Sequence, residues 1–216
     1  MSSIKVHGIP GSPFLRSVQI GLIEKGVDYE LEAMSPADMR SAQHLEKHPF
    51  GRIPILEHSG FEIYETQAIL RYLDEIFPSP PLMPGNPKAR ARVNQVIGII
   101  ECYFFPKASA PIAFNRIIGP RLLGLPSNEQ AIAEAMPMAR TCFSTLDGIL
   151  GGQSYFSGES MSIADIMLGA QLDLLCDTPE GADLIAGTRL APWLERMKTR
   201  PSFVATQPPA ALSEAA

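Results

Sequence analysis

The chain has 216 residues, of which 45% are hydrophobic and 19% charged, with a formal net charge of −5. This length suits two domains of ordinary size, and the apolar fraction excludes a disordered chain. The acidic balance argues against nucleic-acid binding, which needs clustered Lys and Arg. The first residues lack the apolar core of a signal peptide, and no apolar run approaches the ~20 residues that span a bilayer. We therefore expect a soluble, cytoplasmic protein with no membrane or nucleic-acid partner.

The first third of the chain alternates short apolar runs with amphipathic stretches. Strands are predicted at 4–6, 29–31, 53–57 and 61–64, and helices at 14–25, 65–77 and in part of 35–47. Gly26 is a plausible stop for the first helix, and Gly60 supplies the positive φ of the hairpin turn. This β-α-β-α-β-β-α order predicts a small α/β domain of thioredoxin-like design.

A proline-rich stretch then separates the chain into two parts. Residues 78–87 can neither continue a helix nor pair as a strand, and they predict a linker. We assign 1–78 to the thioredoxin-like domain, 79–88 to the linker and 89–216 to an all-α domain. Within that domain the predicted helix breaks are Pro106 and Pro111, Gly119-Pro120, 124–127 and Gly151-Gly152. The Pro- and Ala-rich tail from Gln207 is expected to be frayed.

The three cysteines indicate reduced thiols. Cys102, Cys142 and Cys176 are odd in number and far apart, with no Cys-x-x-Cys pair. This pattern is typical neither of a disulfide framework nor of a zinc site. No metal site or glycine-rich nucleotide loop is predicted.

Ser12 is the first candidate for chemistry, because it stands at the end of a loop and at the start of a predicted helix. A helix N-terminus offers free N–H groups and a positive dipole end, both of which favour a bound anion. A serine hydroxyl there would donate to the sulfur of a bound thiol and favour the thiolate. The alternative is structural, because Ser followed by Pro13 is also a common helix start, in which the serine only caps the helix.

The predicted hairpin carries a second group of candidates. Pro54 is either an ordinary proline at the start of a strand or a cis-proline that turns the Ile53 backbone outward as a free edge for an extended peptide. Glu65 and Thr66 are either an acidic first turn and cap, or groups that hold the amino and carboxylate ends of a ligand. Together these residues describe a site for a small zwitterionic peptide that carries a thiol.

Several motifs in combination resemble the cytosolic glutathione transferase family. Ser-Pro-x-x-Arg-x-Val at 12–18 and Glu-Lys-Gly at 24–26 look like the opening of a serine-type member. His-Pro-Phe-Gly-Arg-Ile-Pro at 48–54 resembles a segment of the phi class, as does the region that begins at Phe105-Pro-Lys-Ala-Ser. Glu-Thr-Gln-Ala-Ile at 65–69 is similar to the family's Glu-Ser-x-Ala-Ile. The resemblance covers essentially the whole chain and implies a thioredoxin-like domain followed by an all-α domain.

The resemblance implies a role for each residue of the site. Ser12 would be the catalytic residue that activates the sulfur of glutathione, the co-substrate. Glutathione would be held by the Ile53 backbone through a cis bond to Pro54, by Glu65 and Thr66 at its γ-glutamyl end, and by Arg40 and Arg52. Arg40 stands where the family has a basic residue for the glycyl carboxylate, although the usual preceding His is missing. His48 and Thr66 also depart from the family's Asn and Ser.

The predicted N-terminal domain has no cysteine, which bears on the kind of chemistry expected of it. Because the first cysteine is Cys102, this domain cannot form a mixed disulfide with glutathione. That argues against glutaredoxin-like, omega-type and dehydroascorbate-reductase chemistry. The Ser-Ser-Cys signature of the zeta class is also missing.

The helical part carries one structural motif and a set of aromatic residues. Ser162 and Asp165 form a near capping box with a structural role. The aromatic residues either pack in the core or, by the resemblance, line an apolar pocket for an electrophile, with candidates Phe14, Phe104, Phe105 and Phe114. Phe50 is either an aromatic key inserted into a partner subunit or a residue packed on its own domain.

The sequence therefore predicts a homodimeric glutathione transferase of the detoxification type, which joins glutathione to a small hydrophobic electrophile. Glutathione-dependent peroxide reduction would use the same thiolate. A non-catalytic member of the fold, kept for apolar ligands or protein partners, is the alternative from another class.

Overall fold

The computed structural model describes residues 3–208 and divides them into two compact units. The first unit contains residues 3–81 together with 201–208, and the second contains residues 82–200. Residues 209–216, most of the tail that the sequence predicts to be frayed, lie outside the described residues.

A four-stranded mixed sheet forms the centre of the first unit. Its strands are β1 (Ile4–Gly8), β2 (Tyr29–Ala33), β3 (Ile55–His58) and β4 (Phe61–Tyr64), in the order β2-β1-β3-β4. β1 runs parallel to β2 and antiparallel to β3, and β3 and β4 form the predicted hairpin. Gly60 turns that hairpin with a φ of 80°. The predicted thioredoxin-like arrangement is confirmed.

Helices cover one face of this sheet and build its core. α1 (Pro13–Glu24) and α3 (Thr66–Ile76) pack on the side to which Ile4 and Val6 point. The shared buried side chains are Leu15, Val18, Leu22, Leu56, Ile69 and Leu73. The segment predicted as partly helical contains a 3-10 turn (Asp38–Arg40) and a short α2 (Ala42–Lys47).

The second unit is helical, as predicted. Its helices are α4 (Pro87–Ile99), α5 (Ala110–Ala113), α6 (Gly119–Leu123), α7 (Glu129–Leu150), α8 (Ile163–Leu175), α9 (Pro179–Ile185) and α10 (Leu190–Lys198). α8 is apolar on all sides, and every residue in it except Asp173 is buried, as expected of a central helix.

Three of the predicted helix breaks are wrong. α4, α5 and α6 are joined by two π-helical segments, Ile100–Ser109 and Phe114–Ile118, into one continuous run from Pro87 to Leu123. Pro111 and Pro120 stand in the first turns of α5 and α6, where a missing N–H is tolerated, and Pro106 lies in a π segment. The run does end at Gly124, whose φ is 62°.

This long run is also apolar enough to cross a membrane by length and composition. Its most apolar window has a mean hydropathy of 1.3, and 44% of that window is buried within the protein. The sequence expectation that no stretch approaches this length is therefore too strict. Core helices of soluble proteins meet the same criterion, and Val93, Ile97 and Phe104 are buried here, so one such run is weak evidence for a membrane.

A buried carboxylate takes part in the N-terminal capping of α8. Asp165 is fully buried and accepts hydrogen bonds from the Ser162 N–H at 2.9 Å and the Ser162 hydroxyl at 2.6 Å. Its other oxygen accepts from the Phe156 N–H at 3.0 Å and the Trp193 Nε1–H at 3.1 Å. The predicted capping box and its structural role are both seen.

The last described helix belongs with the first unit, which differs from the predicted boundary at 89–216. α11 (Pro201–Ala205) packs on α1, far away along the chain. The Ser202 hydroxyl donates to the Glu24 carboxylate at 2.5 Å, and Arg16 donates to the Phe203 carbonyl at 3.1 Å. These contacts assign α11 to the sheet-containing unit.

Candidate functional site

Three connections of the chain meet at one end of the sheet. β1 ends at Gly8, and α1 begins five residues later at Pro13. β3 begins at Ile55, which is paired with His7 of β1 and with Tyr64 of β4. Because β3 is antiparallel to both neighbours, the residues before it lie beside those that follow β1 and β4. Four predicted site residues fall in these connections, namely Ser12, Ile53, Pro54 and Glu65, and a fifth, Thr66, begins α3.

Ser12 stands at the N-terminus of α1 with its hydroxyl unused by the helix. It occupies the N-cap position with a φ of −64° and a ψ of 128°, and its side chain makes no capping hydrogen bond. Its carbonyl accepts from the Arg16 N–H at 2.9 Å, and its own N–H donates to the Ile9 carbonyl at 3.0 Å. The backbone of Ser12 is therefore fixed, while the hydroxyl is left for a ligand at a positive helix end.

Glu65 begins α3 in a strained conformation. Its φ is 71° and its ψ is 114°, a region that costs a residue with a side chain roughly 1–3 kcal/mol. The carboxylate is exposed and makes no capping hydrogen bond, and the buried Thr66 follows as the first helical residue. The Glu65 carbonyl accepts from the Ile69 N–H at 2.9 Å. This second helix N-terminus thus presents an acid that the helix itself does not use.

The residues before β3 are held by a histidine that sequence reasoning missed. The Ile53–Pro54 peptide bond is cis, as the resemblance implies. Ile53 is partly exposed and precedes the first paired residue of β3, Ile55. The Arg52 carbonyl hydrogen-bonds Nε2 of the buried His44 at 2.8 Å. His44 therefore fixes the backbone immediately before the predicted peptide-binding edge, and only this contact, between residues 44 and 52, reveals it.

The segments that contain the two predicted arginines approach each other at a glycine. Arg40 is exposed at the end of the 3-10 turn, and Arg52 is exposed at the start of the Ile53 connection. A Cβ on Gly51, whose φ is 58°, would lie 3.2 Å from the Met39 carbonyl oxygen. The two segments approach closely because residue 51 has no side chain. Two positive charges therefore lie on neighbouring pieces of backbone.

His48 is a second histidine whose structural surroundings the sequence did not predict. Its ring stacks on Tyr64 at 4.3 Å, and the exposed Phe50 packs edge-on against it at 6.2 Å. Among residues 3–208, His48 Nδ1 is a buried side-chain atom without a hydrogen-bond partner. Burial lowers the pKa of His48, and Glu65 partly opposes that effect. The replacement of the family's Asn at this position was the signal in the sequence.

The low pKa of His48 predicts a loss of stability in mild acid. Its folded pKa lies below the unfolded value of about 6.5, so the unfolded chain takes up this proton first as the pH falls. We expect the unfolding free energy of the wild type, measured by urea denaturation, to fall more between pH 7.5 and pH 5.5 than that of His48→Asn. Equal losses in the two proteins would contradict the assignment.

The predicted pocket aromatics divide by burial. Phe104 is fully buried, with its ring 6.0 Å from that of Phe143, which favours the core role that the sequence left open. Phe14 and Phe105 are partly exposed, and Phe114 is 42% exposed. A side chain without exposed surface cannot touch a ligand, so Phe104 is corrected to a core residue.

A cleft elsewhere in the first unit contains none of the predicted binding residues. It has a volume of about 410 Å³ and is lined by charged side chains on the sheet face opposite α1. Glu57 contacts both His7, at 2.7 Å, and Lys47 there, and Lys47 also pairs with Glu62 at 2.8 Å. These groups satisfy one another, and the candidate site remains at the end of the sheet.

Comparisons with known proteins agree on one family. Residues 6–81 match the model "Glutathione S-transferase, N-terminal domain", and residues 129–196 match "Glutathione S-transferase, C-terminal domain". The chain is 32% identical over 191 residues to glutathione S-transferase F14 of Arabidopsis thaliana, covering 85% of this chain and 74% of that protein. It is 27% identical to the probable glutathione S-transferase GSTF1 of Oryza sativa subsp. japonica, covering 94% of each.

Solved structures are similar over nearly the whole chain. Glutathione transferase F7 from Populus trichocarpa superimposes with a TM-score of 0.86 at 25% identity, covering 98% of this chain and 100% of that one. A glutathione S-transferase-I bound with lactoylglutathione gives a TM-score of 0.83 at 26% identity, covering 94% and 98%. The resemblance to phi-class proteins that the motifs indicate is confirmed.

Proposed function

Because the chain belongs to the glutathione S-transferase family, we propose that it binds glutathione at the end of the sheet and activates its thiol for attack on a hydrophobic electrophile. The protein is a transferase, with glutathione as its co-substrate. The observation that carries the finer proposal is Ser12, whose hydroxyl makes no capping bond at the N-terminus of α1. A hydroxyl donor and a positive helix end both favour the thiolate over the thiol.

The other groups at this end complement the remaining parts of glutathione. Glutathione carries an amino group and a carboxylate at its γ-glutamyl end and a second carboxylate at its glycyl end. The Glu65 carboxylate suits the amino group, and Thr66 with the first N–H groups of α3 suits the neighbouring carboxylate. The backbone of Ile53, which precedes the paired residues of β3, suits the cysteinyl main chain, and Arg40 and Arg52 suit the glycyl carboxylate.

The proposed conjugation then requires the thiolate of bound glutathione and an electrophile held next to it. The thiol proton leaves to solvent, and the sulfur forms a bond to an electrophilic carbon while a leaving group departs with its electron pair. Holding both reactants in one site supplies much of the rate. Phe14, Phe105 and Phe114 each keep some exposed aromatic surface, which suits the role of contacting a hydrophobic substrate that the family resemblance implies for them. A homodimer that uses the exposed Phe50, a cytoplasmic location and a detoxification role complete the proposal.

A titration of the bound thiol tests the proposal. The ultraviolet thiolate absorption of glutathione bound to the wild type is followed with pH, and aryl halides, epoxides and organic peroxides are then offered as substrates. We expect a thiolate signal well below the pKa of free glutathione, together with conjugation of at least one carbon electrophile. Binding with peroxide reduction alone would identify a peroxidase. No binding of glutathione would favour a non-catalytic binding protein.

A further inference from the structure

We propose that Arg16 is a positioning residue for Ser12, which ties the first turn of α1 to the C-terminal segment 201–208 and thereby makes thiol activation depend on that segment. This inference rests on the proposed function of Ser12. Arg16 contacts Phe203 and Thr206, which lie 187 and 190 positions further along the chain, and no local motif reveals these contacts.

The side chain of Arg16 is held at three points by the C-terminal segment. Arg16 is only 2% exposed. Its Nε donates to the Thr206 hydroxyl at 3.3 Å, and one terminal nitrogen donates to the Phe203 carbonyl at 3.1 Å. The guanidinium carbon also lies 5.2 Å from the centroid of the Phe203 ring. A planar group with contacts in several directions has little freedom to move.

The backbone of the same residue holds Ser12. The Arg16 N–H donates to the Ser12 carbonyl at 2.9 Å, which closes the first turn of α1. Because Ser12 makes no capping bond of its own, the placement of its hydroxyl depends on the placement of this turn. Arg16 therefore links the C-terminal segment to the reacting end of the helix.

A second contact joins the same two elements far from Ser12. The buried Ser202 hydroxyl donates to the Glu24 carboxylate at 2.5 Å, at the other end of α1. Residues 16 and 24 are separated by about 12 Å along the helix. The segment 201–206 therefore contacts α1 both in its first turns and at its last residue. The Ser202 contact provides a matched control, because its loss loosens the same packing without touching the Ser12 turn.

Three variants separate positioning from general stability. Thr206→Val removes the hydroxyl that Arg16 contacts and keeps the shape of the side chain. Arg16→Lys keeps the positive charge but loses the planar guanidinium with its several N–H donors. Ser202→Ala breaks the distant contact with Glu24. We expect the first two to raise the pKa of bound glutathione by about 0.5–1 unit and to lower kcat roughly threefold to tenfold at pH 6.5. The KM for glutathione should stay within about twofold, because its binding groups are intact.

Ser202→Ala should lower the thermal midpoint of unfolding by about as much as Thr206→Val does, but it should leave the pKa of bound glutathione unchanged. Equal pKa shifts in Ser202→Ala and Thr206→Val, or no shift in Thr206→Val and Arg16→Lys, would overturn the proposal. Hydrogen exchange of the Arg16 amide keeps the test independent of the proposed function. Thr206→Val should speed that exchange, and Ser202→Ala should not. This expectation holds even if Ser12→Ala shows that Ser12 does not donate to the thiolate. Unchanged exchange in Thr206→Val would also overturn the proposed link.

Discussion

We expect Ser12→Ala to raise the pKa of bound glutathione by about 1–2 units and to lower the rate of conjugation at pH 6.5 by roughly tenfold to a hundredfold. The reason is the loss of one hydrogen bond to a charged sulfur, worth about 1.5–3 kcal/mol. Glutathione should still bind, because the groups around Glu65 and Ile53 are untouched. The measurement is the ultraviolet thiolate titration of the complex, together with kcat and KM for an aryl halide.

Two controls belong to the Ser12 experiment. Ser12→Thr keeps a hydroxyl and should keep a lowered thiol pKa. Ser17→Ala removes a hydroxyl from the same helix, where it bonds the Pro13 carbonyl at 2.8 Å, and should leave the titration unchanged. If Ser12→Ala loses about 1 kcal/mol of stability and the thiol titrates as in the wild type, the serine is only a helix cap.

We expect Asp165→Ala to lower the free energy of unfolding by about 4 kcal/mol or more, or to prevent folding of the helical unit. Two backbone N–H groups and the Trp193 indole lose their acceptor in a fully buried place. Each unsatisfied buried donor costs about 1–3 kcal/mol. Urea denaturation followed by Trp193 fluorescence measures the loss. Asp173→Ala is the matched control on the same helix; it breaks an ion pair with the partly exposed Lys198 at 3.4 Å and should cost only about 1 kcal/mol.

The loss of unfolding free energy in Asp165→Ala also depends on pH. Burial raises the pKa of Asp165 to about 6, and its four hydrogen bonds only partly oppose that effect. A carboxyl with a raised folded pKa contributes fully below the unfolded pKa, near 3.8, and this contribution is lost as the pH rises through about 6. The deficit should therefore be larger at pH 5 than at pH 7.5. A deficit that grows with pH would contradict this reading of the buried carboxylate.

The parts of the fold that depend on local chemistry are visible in the sequence. Gly60 marks the hairpin because the turn needs a positive φ, and Ser162 with Asp165 marks the start of α8 because the spacing suits a capping box. Pro13 marks the start of α1 because proline suits the first helical position. In each case the residues that carry the signal are neighbours along the chain.

Other features depend on hydrogen-bond patterns that the sequence does not display. Proline usually ends a helix, and the sequence predicts breaks at Pro106 and Pro111. The helical run nevertheless continues, because Pro106 lies in a π-helical segment and Pro111 stands in the first turn of α5. Phe104 illustrates the same limit for the pocket, because an aromatic residue at helical spacing suits a core and a ligand equally well until burial is known.

By itself, the amino-acid sequence determined the order of the elements, the family and the candidate role of Ser12, because these are written in short motifs. Only the tertiary structure decided that the Ser12 hydroxyl makes no capping bond, that His44 holds the Arg52 carbonyl, and that α11 joins the first unit. The contact between Arg16 and Thr206 spans 190 residues. Such contacts follow from the packing of whole elements, whose burial no local pattern specifies.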